Sequence, residues 1–159
     1  MDALAPITQA EARALLRDYV NAIDRGRLGE WPNFFIEACS YRITTRENEE
    51  RGFPLSVMLC NNRAMLFDRI EATEKANIFE PHTYRHILSD SDVVAESDGV
   101  LTVRTSFLCV RIMHTGETML FACGEYVDEI VREGGRCRYR SKRVVLDSSK
   151  IDTLIAIPL

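Results

Sequence analysis

The final third of the chain restricts the fold most. Residues 101–113, 118–132 and 137–146 read as three long strands with only turns between them. His114-Thr115-Gly116-Glu117 carries turn residues, and Glu133-Gly134-Gly135-Arg136 holds the paired glycines of a tight hairpin. Connections this short leave room only for antiparallel pairing. Phe107-Leu108-Cys109-Val110-Arg111-Ile112-Met113 is apolar on both faces, which places it centrally in the sheet. Gly124 lies inside the second strand and marks a bulge or a sharp bend. In the third strand the period of two lines up Arg138, Arg140 and Lys142 on one face, a solvated row or a docking surface for an acidic patch.

The earlier part is helical in pattern. Thr8-Gln9-Ala10-Glu11 forms a capping box, in which hydroxyl and carboxylate each satisfy a free amide at a helix start. Ala12, Leu15, Leu16, Tyr19 and Ile23 recur at helical spacing, and Gly26 supplies a stop. Trp31-Pro32 suits the first turn of a short helix, and Trp31, Phe34 and Phe35 offer a large apolar anchor. Residues 38–44 alternate as a strand, with Cys39, Tyr41 and Ile43 on one face. A charged loop is expected over 45–52, followed by the apolar triplet Phe53-Pro54-Leu55, for which core is the commoner fate. The stretch 61–88 reads as a long helix, a break at Pro81 and a strand opening on Tyr84-Arg85-His86-Ile87-Leu88. Residues 89–99 read as a polar connection.

Composition excludes several classes. A formal net charge of -4 opposes nucleic-acid binding, which needs a basic surface. No apolar run approaches the roughly 18 residues of a membrane span, and no basic region leads into an apolar stretch near Met1, so a cytoplasmic protein is expected. The 5 cysteines are odd in number and lack CxxC or Cys/His ligand spacing, which predicts reduced, mostly buried thiols and no metal on this chain.

Helices followed by a long bent antiparallel sheet make a single α+β domain over 1–159. With helices packed in the concave face, the sheet becomes a cone with an interior pocket, the architecture of the nuclear-transport-factor-2-like (NTF2-like) superfamily. Several stretches then carry a closer resemblance: Trp31-Pro32-Asn33-Phe34-Phe35, Tyr41-Arg42-Ile43, Asp68-Arg69-Ile70, Tyr84-Arg85-His86-Ile87-Leu88, 111–118, and the closing Asp147-Ser148 to Ile157-Pro158-Leu159. In order and spacing they resemble the small (beta) subunits of Rieske-type aromatic-ring-hydroxylating dioxygenases, closest to the branch acting on aromatic acids such as terephthalate and salicylate. The resemblance implies a non-catalytic partner of a large (alpha) subunit in an α3β3 hexamer. That alpha subunit would carry a [2Fe-2S] cluster and a mononuclear iron, and this chain neither cofactor.

The rival expectation is a stand-alone isomerase or dehydratase of the same cone fold. Tyr41, Asp68 and His86 can supply a phenol, an orienting carboxylate and a base. The structural alternative joins Asp68, Arg69, Arg85 and His86 in a satisfied polar cluster that ties helix to strand, and it is preferred because buried charges need partners in either case. A module that binds a small apolar ligand in the cone is the third possibility. Finally, Ile151, Leu154, Ile155, Ile157 and Leu159 make the last nine residues strongly apolar, and burial at a subunit contact is favoured over burial in the chain's own core. The ring substrate is not legible.

Overall fold

A computed structural model describes residues 5–76, 79–150 and 155–159. Helix α1 (Gln9–Asp24) starts as expected. The Thr8 hydroxyl accepts from the Glu11 amide, and the Glu11 carboxylate accepts from the Thr8 amide. Its buried stripe includes Ala12, Leu15, Leu16, Tyr19 and Ile23, and Gly26 takes the left-handed conformation after it. A short 3-10 helix (Leu28–Phe34) buries Trp31 and leads into β1 (Phe35–Thr45).

The charged run after β1 is a helix, α2 (Arg46–Arg51). Thr45 caps it by accepting from the Asn48 amide, Glu47 pairs with Arg51 four residues on, and Gly52 closes it with a positive φ. Phe53 and Leu55 are exposed rather than core, because α2 and the loop after it lie outside the sheet. Strand β2 (Met58–Cys60) and helix α3 (Arg63–Ala76) follow. Strand β3 (His82–Ser97) absorbs the residues expected to form a polar connection. Apart from the buried Ser91 their side chains are exposed, so they lack an apolar pattern, and pairing with the backbone of β4 (Val100–Met113) holds them as a strand, with register shifts after Leu88 and Val93.

Strands β5 (Thr118–Glu133) and β6 (Arg136–Leu146) complete a six-stranded curved sheet of order β2-β1-β6-β5-β4-β3. It is not wholly antiparallel, since β1 and β6 run parallel. The chain lays down β1 after α1 and before α2, α3 and the antiparallel run β3–β4–β5, and β6 returns beside β1 in the same direction. The bulge expected at Gly124 falls at Phe121, which lies between the paired residues Leu120 and Ala122. Gly124 serves another need: a Cβ there would stand 2.0 Å from the Val145 carbonyl oxygen.

The helices cover one face of the sheet, where Trp31, Tyr41, Ile43, Tyr126, Ile130, Tyr139 and Val144 form the core. Helix α1 also follows the free edge of β3. Gln9 donates to the Ser91 carbonyl at 2.6 Å, and the Asp24 carboxylate accepts from the His86 amide at 2.8 Å.

Candidate functional site

The expected polar cluster is not assembled. Asp68 and Arg85 are exposed on different elements, Asp68 on α3 and Arg85 on the outward positions of β3. Arg69 turns inward and donates to the Ile155 carbonyl at 3.0 Å. His86 is brought to Asp24: Nδ1 lies 2.6 Å from Oδ1, and both side chains are buried. The correction has a simple cause. Inward positions of β3 face the end of α1, whereas α3 packs on β1 and the 3-10 helix. His86 is then enclosed by the rings of Tyr84 and Phe107, and its Nε2 has no hydrogen-bond partner among the described residues.

Tyr41 also departs from the acid-base set. Its hydroxyl donates to the Leu159 main-chain oxygen at 2.9 Å and accepts from the Leu159 amide at 3.0 Å. Tyr19 donates to the same oxygen at 2.8 Å while accepting from the Trp31 indole at 3.0 Å. Burial pushes the Tyr41 and Tyr84 hydroxyls well above the usual phenol range, so both remain protonated donors. Ile155, Ile157 and Leu159 are therefore buried in the chain's own cone, the less favoured of the two fates expected for them. The apolar pattern forecast their burial but not the surface that buries them. Leu154 lies outside the described residues.

Lys142 is corrected as well. It leaves the basic row because β6 carries an extra residue: Ser141 pairs with Glu129 and Tyr139 with Ile130, so Arg140 is bulged and the alternation inverts. Lys142 thus points inward with Tyr139, is 0% exposed, and donates to both carboxylate oxygens of Asp128 at 3.1 and 3.0 Å. Its ammonium sits 3.8 Å from the ring centre of Tyr126, 4.4 Å from Tyr19 and 4.5 Å from Tyr139. Burial pulls the Lys142 ammonium down and pushes the Asp128 carboxyl up, with each partner opposing the other's shift. Arg138 and Arg140 stay at the surface, paired with Glu133 and Glu129.

Sequence reasoning missed Asp24 and Asp128. A signal existed for each. Asp24 puts an anion at the negative end of α1, unfavourable without a partner. Asp128 is a charge among inward residues Tyr126 and Ile130. The cysteines are free; Cys39, Cys60 and Cys109 are buried, and Cys123 and Cys137 half-buried. Burial raises all five thiols, Cys39 to about 11, which leaves them weak nucleophiles near neutral pH. Among the described residues, no group of three or more His, Cys, Asp or Glu is placed to hold a metal, and no helix is long and apolar enough to cross a membrane.

The face opposite the helices carries a feature of its own. Ile87 and Leu108 stand directly across from each other in the β3–β4 register, and with Leu120 they are exposed large apolar side chains on strands. A groove of about 380 Å³ runs beside them, lined in part by Cys123, Glu125 and Asp147.

Helices packed on one side of a curved six-stranded sheet define an α+β cone, and the comparisons narrow that class. Residues 19–153 match the ring hydroxylating beta subunit family. The chain is 38% identical over 152 residues to the small subunit of anthranilate 1,2-dioxygenase from Burkholderia cepacia, covering 96% of this chain and 94% of that one. It is 37% identical over 153 residues to a beta subunit of the terephthalate 1,2-dioxygenase terminal oxygenase from Comamonas, covering 96% and 99%. A solved beta subunit, assigned to an aromatic-ring-hydroxylating dioxygenase of Novosphingobium aromaticivorans, superposes with a TM-score of 0.87 at 31% identity, covering 95% and 96%. The chain belongs to the beta-subunit family of aromatic-ring-hydroxylating dioxygenases.

Proposed function

We propose that this chain is the structural, non-catalytic beta subunit of a terminal oxygenase whose alpha subunit hydroxylates an aromatic carboxylic acid. The observation that carries the reading is the near full-length similarity to beta subunits named for anthranilate and terephthalate, two aromatic acids. The interior supports it. Residues 155–159 take up the hydroxyl of Tyr41 and His86 is locked to Asp24, so two members of the rival acid-base set are committed to holding the fold, and the third, Asp68, is exposed away from both.

The partner is an alpha subunit in an α3β3 complex, with a trimer of this chain at its base and [2Fe-2S] and mononuclear iron held by the alpha subunit, in the cytoplasm. The exposed apolar side chains Ile87, Leu108 and Leu120 support an assembly role, since clustered apolar surface marks contacts between chains. Arg138 and Arg140 remain rim candidates for such contacts.

Co-expression with a candidate alpha subunit, followed by native mass and iron determination, tests the reading. The expected result is an iron-free chain when purified alone and an iron-bearing, anthranilate- or terephthalate-hydroxylating complex when both are present. Stoichiometric iron on the isolated chain, or turnover of a small carbonyl compound by it alone, overturns the reading.

A further inference from the structure

The stretch 155–159 is held in an unusual way. It joins neither a helix nor the sheet, yet it is buried throughout. Its main-chain oxygens are met by side chains from four separate elements. Arg69 of α3 donates to Ile155 at 3.0 Å, and Thr73 of the same helix donates to Ala156 at 3.2 Å. Tyr84 of β3 reaches Ile157 at 3.5 Å, and Tyr19 of α1 and Tyr41 of β1 converge on Leu159 at 2.8 and 2.9 Å. When a protein binds a peptide in trans, hydrogen bonds to the peptide's main chain supply affinity and pockets for its side chains supply specificity, and residues 155–159 meet both kinds of contact here.

We propose that the mouth of the cone is a peptide-binding seat and that residues 155–159 are its intramolecular ligand. The class of ligand it takes is a short, apolar segment outside helix and sheet, with free carbonyl oxygens and a proline. The seat is built by the rest of the chain. Tyr19 is held by Trp31 independently of the ligand, and Tyr41 lies in a strand paired on both sides by β2 and β6. Residues 147–150, which lead toward the ligand, are exposed and give a place to sever the link without touching the seat.

The test keeps the full chain until it has folded. A recognition sequence for a specific protease is inserted between Ser149 and Lys150, the protein is purified intact, and the link is then cut. The expected result is that the released fragment stays with the body through gel filtration, and that excess fluorescent peptide of residues 150–159 exchanges into the cut protein saturably. Replacing Tyr19 and Tyr41 by Phe in the same protein is expected to speed release of the peptide, by about fivefold for each hydroxyl lost. A fragment that leaves a body still folded by circular dichroism and is not taken up again overturns the proposal. So does a body that unfolds on cutting and is not restored by the peptide, because the stretch is then core and not ligand. Release rates unchanged by both Tyr→Phe replacements also overturn it. The readout needs no partner subunit, so its failure leaves the beta-subunit reading untouched.

Discussion

Two acid–base pairs are buried among the described residues, and they are satisfied to different degrees. Lys142 and Asp128 meet through both carboxylate oxygens, and three tyrosine rings surround the ammonium. Asp24 and His86 also meet twice, but one contact is spent on the His86 main-chain amide, and Nε2 finds no partner among the described residues. The first pair holds two neighbouring strands, β5 and β6, to each other and to α1. The second holds a helix end to the free edge of a strand. Burying charge is costly in both places. The aromatic cage offsets that cost at Lys142, whereas at Asp24 the return is a covered backbone group.

That contrast ranks the expected losses. Lys142→Met is expected to be the most damaging, at about 3–5 kcal/mol in chemical denaturation, because it strands Asp128 in the core. The double replacement Asp128→Leu with Lys142→Met is expected to recover most of this. A double variant as weak as the single one breaks the idea that the unpaired charge is the cost. Asp24→Ala follows, at about 1–3 kcal/mol, since it uncovers the His86 amide and leaves the ring without its partner. Asp24→Asn is expected to lose less, because an amide oxygen still accepts from that amide; equal losses would assign the effect to the ion pair alone.

Smaller effects sharpen the picture at the surface. The Glu11 carboxyl is held below its usual range, first by the Thr8 amide and then by Arg132. Its folded-state affinity for protons is thus lower than in the unfolded chain. The stabilisation is present above the ordinary carboxylate range and is lost as pH falls through the lowered value. Comparing Tm between about pH 6 and pH 3, Glu11→Gln is expected to flatten the decline seen in the natural chain, and an unaltered decline would remove Glu11 from the account. The smallest effect on stability is expected from Ile87→Ser with Leu120→Ser on the open face, each within about 0.5 kcal/mol for the single chain. The same variant is expected to weaken complex formation with the alpha subunit, measured by native mass; unchanged assembly would free that face from an interface role.

The sequence revealed local devices well and long-range partners poorly. The Thr8–Glu11 capping box and the paired glycines at 134 and 135 act within a few residues, and both occur as expected. Asp24 is 62 residues from His86, and nothing in either neighbourhood announces the other. Lys142 was placed on the wrong face because one bulged residue inverts every later position of β6, and a period of two cannot register an insertion that only pairing with β5 reveals. Residues 89–97 carry no strand pattern of their own; the partner strand supplies the order. The apolar closing stretch declared that it must be covered, but hydrophobicity is non-directional, so its destination inside the cone was not written in it.

The course of α1 along β3 has a consequence for growth of the assembly. Gln9 and Asp24 occupy backbone groups on the outer edge of that strand, and β2 at the opposite edge is only three residues long. Over those positions no further strand can be laid onto the edge of β3, which narrows the stretch open to main-chain pairing between copies.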